Sequence, residues 1–169
     1  MAFRAVSCVA VLFLAAHSVN GYGSGAPNDP GICKSMTPKH PGAPQDTPSP
    51  FGLSVNKARV KPGESVELTM KSGSGGEKIK GFLVQGRNSN HDENTTPVGT
   101  FEAAPGTKFL SCSDIAKSSI THADNSEKDS FTVTWNAPKE PGTYVLLVTI
   151  VQDGLTYWTR RPSQTITVT

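Results

Sequence analysis

Along residues 131–158 the hydrophobic positions follow two rhythms. Phe131, Val133 and Trp135 alternate with Thr132 and Thr134, the period-2 pattern of a strand with one buried face. The next run is apolar on both sides. Tyr144, Leu146, Val148 and Ile150 fall on one face, and Val145, Leu147 and Val151 on the other. A strand written that way belongs in the centre of a sheet covered twice. Asp153-Gly154 then predicts a hairpin turn, with glycine supplying positive φ, before Leu155 to Trp158. These segments predict a heart of three antiparallel strands.

Shorter alternating runs precede them. Leu53 and Val55, then Val66, Leu68 and Met70, flank a turn at Lys61-Pro-Gly-Glu64. Ile79 to Gln85, Val98 to Phe101, and Phe109-Leu110 add further candidates. Ile115 and Ile120 are apolar anchors, and Ile166 with Val168 closes the chain. Asp114-Ile-Ala-Lys117 offers at most one helical turn. About eight short strands separated by turn signals predict an all-β fold, an antiparallel β-sandwich of immunoglobulin/fibronectin-like type. A true immunoglobulin domain places its Trp between two bridging cysteines, whereas Trp135 follows every cysteine here. No internal repeat is apparent.

Residues 22–50 break the pattern. Seven prolines between Pro27 and Pro50 remove amide donors and fix φ, which argues against helix and central strand. An extended Pro-rich N-terminal arm across the sheets is expected, ordered only if Cys33 anchors it. Residues 51–169 form the predicted sandwich, and with the arm make one domain by length.

Residues 1–21 read as a secretory signal peptide. Arg4 gives the positive end, Val6 to Ala16 the apolar run, and Val19 with Gly21 the cleavage site. The run is shorter than the roughly 20 residues a spanning helix needs. Removal would leave 148 of the 169 residues, and formal charge would fall from +2 to +1 with the loss of Arg4. So small a charge gives no argument for nucleic acid or an anionic membrane. The longest later apolar run, Tyr144 to Val151, is too short to span a bilayer, so a soluble, secreted, extracellular product is expected. Cys8 would leave with the signal. Cys33 and Cys112 remain, an even number in an oxidising compartment, and a disulfide between them is expected. Two free thiols are the other state the residues allow.

Several runs resemble one family. Pro30-Gly-Ile-Cys-Lys-Ser-Met-Thr-Pro-Lys-His-Pro41 with Pro50-Phe51 is similar to the opening of a reeler domain. So are Lys61-Pro-Gly-Glu-Ser-Val66, Lys80-Gly-Phe-Leu-Val-Gln-Gly-Arg87, Ser119-Ile-Thr-His122, and Trp135-Asn-Ala-Pro138 followed by Gly142-Thr-Tyr144. The resemblance spans residues 22–169. A leader plus one such domain resembles the small insect defence proteins of the noduler type. That resemblance implies an innate-immune role in haemolymph, with microbial surface polysaccharide or lipopolysaccharide and the haemocyte surface as partners. Larger relatives fuse the domain to matrix or cytochrome-containing modules, which these residues do not contain.

No catalytic constellation stands out. There is no Gly-x-Ser-x-Gly elbow and no His-Glu-x-x-His. Gly21-Tyr-Gly-Ser-Gly-Ala26 follows no strand and opens no helix, and Ser72-Gly-Ser-Gly-Gly76 lacks the phosphate-loop lysine. His40, His91 and His122 are dispersed, so neither metal nor cofactor is expected. Asn94-Thr-Thr96 is a glycosylation sequon in the most polar loop. Tyr157, Trp158, Arg160 and Arg161 read as an exposed recognition cluster, with Arg87 as a weaker member. Aromatic faces pack on sugar rings, and guanidinium forks bind phosphate or carboxylate. With no catalytic group in view, the resemblance implies non-enzymatic binding of microbial surface polymers as the expected function. A matrix adhesion module without microbial ligand is the alternative.

Overall fold

The computed structural model describes residues 22–169; the expected signal peptide lies outside the described residues. Eleven strands form two sheets. They are β1 (Phe51–Val55), β2 (Arg59–Val60), β3 (Ser65–Ser72), β4 (Gly81–Asn88), β5 (Thr100–Phe101), β6 (Thr107–Leu110), β7 (Ser119–His122), β8 (Ser130–Asn136), β9 (Gly142–Val151), β10 (Tyr157–Pro162) and β11 (Ile166–Val168). The smaller sheet runs β1-β3-β8-β5. The larger runs β2-β11-β9-β4-β7-β6, with β10 also pairing β9. Every pairing is antiparallel except β2 with β11. The β-sandwich is thus as expected, and the strand without a counterpart in the sequence pattern is the two-residue β2.

Alternation decides what lies between the sheets. Val66, Leu68 and Met70 of β3 and Val133 and Trp135 of β8 are buried from one side. Phe82 and Val84 of β4, Ile120 of β7, and Tyr144, Leu146, Val148 and Ile150 of β9 meet them from the other. Each fully buried side chain of this size contributes about 1.5–3 kcal/mol. Trp135 is fully buried, and its indole N–H donates to the Val98 carbonyl at 3.0 Å. Gly86 and Gly99 press on that indole so closely that a Cβ on either would overlap its nitrogen. Gly99 also holds a φ of 70°, which favours glycine.

Two expectations about the strands need correction. β8 does not join β9 in a three-stranded heart: it pairs β3 and β5 in the smaller sheet. The pattern explains this. β8 has one apolar face and lies in the sheet whose outer positions stay open, whereas β9 needs cover on both faces. The β9–β10 turn is not made by glycine. Val151 pairs with Tyr157 across residues 152–156, and Gly154 has no positive φ. Asp153 makes the turn, its Oδ1 accepting from the Leu155 and Thr156 amides at 2.8 and 2.9 Å.

The arm is not wholly extended. A helix, α1, spans Pro30–Ser35. Proline is tolerated there because it occupies the first helical position, where an amide would have no partner. Asp29 caps the helix through the Ile32 amide at 3.1 Å, and Met36 ends it with φ of 55°. The helical turn expected over residues 114–117 lies slightly earlier, as a 3-10 turn at Cys112–Asp114.

Candidate functional site

The outer face of the larger sheet, which the pattern of β9 required to be covered, is covered by the arm. Ile32, Cys33 and Met36 pack against Leu83, Leu110, Cys112, Val145 and Leu147 as a second apolar cluster. Cys33 and Cys112 are joined by a disulfide, their Cα atoms 5.4 Å apart and 79 residues apart in sequence. Closing so long a loop restricts the unfolded chain by about 4–5 kcal/mol on chain-entropy grounds.

Beyond its six-residue helix the arm has no hydrogen-bonded ladder, so its carbonyl oxygens need donors from elsewhere. The sheet provides them. Thr149 Oγ1 donates to the Met36 carbonyl at 2.7 Å. Gln85 Nε2 and Arg87 Nη2 both donate to the Cys33 carbonyl, at 3.0 and 3.1 Å. The Tyr157 hydroxyl donates to the Gly42 carbonyl at 2.8 Å, and Trp158 Nε1 to the Thr47 carbonyl at 3.0 Å. Arg160 Nη1 donates to the Lys34 carbonyl at 3.2 Å.

Arg87, Tyr157, Trp158 and Arg160 are four of the five residues expected to form an exposed recognition cluster, and for these four that exposure is not observed. Tyr157 and Trp158 are 1% and 5% exposed because the arm lies over them. Arg87 is 1% exposed. Its guanidinium is also held by Gln85 Oε1, at 3.1 and 2.6 Å, and by the Thr95 carbonyl. Burial, with the neighbouring positive charge of Arg160, lowers its pKa to about 10, against a smaller opposing pull from Glu93. Arg87 therefore stays charged at neutral pH. Arg160 sits in a β-bulge with φ of 51°, and its second terminal nitrogen reaches the His91 carbonyl at 2.5 Å. Its Nε lies 3.7 Å from Glu93. Arg161 alone of the group is exposed.

Two clefts flank the strapped arm. The first, about 430 Å³, opens between α1, residues 93–96 and residues 111–114, with Cys33 and Arg87 among its lining. Asn94 is exposed and also lines it. The second, about 330 Å³, opens on the other side, lined by Tyr22, Met36, His40, Lys80, Phe82 and His122 among others.

His122 is buried at this second cleft. Its Nδ1 accepts from the Phe82 amide at 3.0 Å, and Thr121 donates to the Phe82 carbonyl. Its Nε2 is 3.3 Å from the Tyr22 carbonyl, to which it donates. That pair of contacts fits the neutral ring. Burial holds its pKa below the ordinary histidine value, aided by Lys128 and Lys108 and opposed by the contacts to Phe82 and Tyr22. His40 packs edge-on against Tyr157 at 5.6 Å, and its Nδ1 is buried without a hydrogen-bond partner. Burial lowers its pKa as well, with Asp153 acting in the opposite direction. His91, by contrast, is exposed. Among the described residues no group of three or more His, Cys, Asp or Glu side chains is placed to share a metal ion. Among them, too, no helix is long and apolar enough to cross a membrane.

The clamp was not foreseen from the sequence, though it left a trace. Gln85, Arg87 and Thr149 are polar positions inside strands otherwise written for burial. Buried polar side chains in such places hold hydrogen-bond partners, and here the partners are arm carbonyls.

The same framework occurs in other proteins. Residues 31–169 match the reeler domain family. Over 146 residues the chain is 37% identical to "Putative defense protein Hdd11" of Hyphantria cunea, covering 82% of this chain and 84% of that one. It is 34% identical over 137 residues to human "Ferric-chelate reductase 1", covering 79% of this chain but only 22% of that protein. The crystal structure of the human F-spondin reeler domain superposes with a TM-score of 0.60 at 22% identity, covering 75% of this chain and 92% of that one, a likeness of fold. With the family match running from the disulfide-bearing helix to the last strand, the chain belongs to the reeler domain family.

Proposed function

We propose that this chain is a secreted, non-catalytic defence protein. It binds microbial surface polymers such as lipopolysaccharide and β-glucan and promotes aggregation of haemocytes. The observation that carries the reading is the near full-length likeness to insect defence proteins, 37% identical over 84% of one and 32% identical over 88% of another, from Antheraea mylitta. The ferric-chelate reductases share only the fraction of their length that this fold occupies.

In this reading residues 1–21 are the signal peptide, and residues 22–169 act as one unit in the haemolymph. The disulfide suits an oxidising extracellular compartment. Asn94, exposed in a polar loop, carries a glycan. Contact with polymer is made at the loops and at exposed positions such as Arg161, on a frame kept rigid by the arm clamp. The test is retention of purified residues 22–169 on whole bacteria, immobilised lipopolysaccharide and β-1,3-glucan, read beside haemocyte aggregation. Retention on at least one of them, with aggregation, is the expected result. Absence of retention on all three would overturn the reading.

A further inference from the structure

The 330 Å³ cleft differs from its neighbour in being floored by hydrocarbon. Ile32 and Met36 of the arm meet Leu83 of β4 there, beside Phe82, whose ring belongs to the inter-sheet core. The two threonine hydroxyls within it, those of Thr121 and Thr149, are engaged by the carbonyls of Phe82 and Met36, so the interior offers few free polar groups. Polar side chains lie around it instead: Lys80, His40, Asn125 and Asp153. One of the three large hydrophobic side chains exposed among the described residues lines this cleft, and a second follows its lining in the chain. Tyr22 lines the cleft at 42% exposure, and Leu155, at 63%, directly follows Gly154 of its lining. The volume falls in the range of small-molecule sites, which join a mostly apolar body to a few orienting polar groups.

Two further observations specify the guest. The buried Nδ1 of His40 lacks a partner, and a buried polar atom in that state calls for one. Lys80 brings an ammonium group that meets only an exposed Glu127 at 3.1 Å. The carboxylate of Asp153 is turned to the amides of its own loop. We propose that this cleft binds a single acyl chain, its methylenes on the floor of Ile32, Met36 and Leu83 and its anionic head at Lys80 and His40. Both a free fatty acid and the acyl chain of a microbial amphiphile have that chemistry. The proposal goes beyond polymer binding and stands or falls separately from it.

The test uses residues 22–169, secreted, delipidated and disulfide-bonded, titrated with the fluorescent probe 1-anilinonaphthalene-8-sulfonate. Dodecanoate is expected to displace the probe. Hexanoate should be weaker by at least about 10-fold, since each buried methylene contributes about fourfold in affinity. Lys80→Glu should weaken dodecanoate about 5-fold or more and leave dodecanol unchanged. Ala26→Phe, which fills the cleft from the arm side, should abolish probe binding while circular dichroism and the disulfide are retained. Should Ala26→Phe fail to fold, the variant at the half-buried Lys80 still decides. Lipid A beside dodecanoate separates the two sources, and displacement by either supports the site. Absence of displacement by any twelve-carbon ligand overturns it, as does displacement by glucose oligomers instead, or equal affinities of the Lys80 variant and the parent for dodecanoate. Retention on β-1,3-glucan, which has no acyl chain, is expected to survive Ala26→Phe, so failure of one reading is distinguishable from failure of the other.

Discussion

Both faces of the larger sheet are buried, and they are buried by different means. Toward the smaller sheet, β4 and β9 present Val84, Leu146, Val148 and Ile150 to matching apolar rows, and alternation alone organises the contact. Toward the arm, a thinner apolar cluster is ringed by Gln85, Arg87, Thr121 and Thr149, buried polar residues that bond backbone atoms. The contrast follows from what each face covers. A strand brings its own satisfied backbone to the interface, whereas a proline-rich arm brings carbonyls without partners. Unpaired buried carbonyls are costly, so the sheet must present donors.

If the two faces are distinct in this way, perturbing them should give distinct signatures. The largest effect is expected from removing the disulfide with Cys33→Ala and Cys112→Ala. It should cost up to about 4–5 kcal/mol in denaturant unfolding, and hydrogen exchange across residues 22–50 should rise furthest. Next, Trp135→Ala should cost about 3–5 kcal/mol and strip protection from both sheets together, because the cavity lies between them. Arg87→Leu should cost about 2–3 kcal/mol by leaving the Cys33 and Thr95 carbonyls short of a donor. Its exchange increase should be confined to residues 30–40 and 93–97, and uniform loss across the sheets would erase the distinction between the faces.

The smallest effect is a pH dependence on the arm side alone. The pKa values of His122 and His40 are lowered by burial, so the folded state binds fewer protons than the unfolded chain near the ordinary value of 6.5. Stability from this source is complete above that pH and is lost as pH falls through the folded values. The slope is at most about 1.4 kcal/mol per pH unit for each proton taken up. Denaturant midpoints at pH 7.5 and pH 5 should differ in the parent and differ less in His122→Gln.

The inter-sheet half of the molecule was legible because a period of two survives in the residues themselves. Val66, Leu68 and Met70 announce β3, and the double-sided run from Tyr144 announces a strand with two covers. The arm half was harder to read. Seven prolines hid a helix because Pro30 sits in the first helical turn, where an amide has no intrahelical partner. Tyr157, Trp158 and Arg160 looked like a recognition patch because nothing near them in sequence buries them. Their partners at Gly42, Thr47 and Lys34 lie more than 100 residues away, and a hydrogen bond to a carbonyl imposes no residue type on its acceptor. The disulfide was the exception, since counting cysteines after the expected leader leaves one pair to make.

That indifference of the acceptor has an evolutionary consequence. Main-chain oxygens are common to every amino acid, so the strap can change many of its side chains and stay docked, provided the cysteine, the apolar Ile32 and Met36, the helix start and the spacing persist. Those same side chains wall both clefts. The scaffold thus separates attachment from chemistry, leaving descendants of one fold free to retune what they hold without relearning how to stay closed.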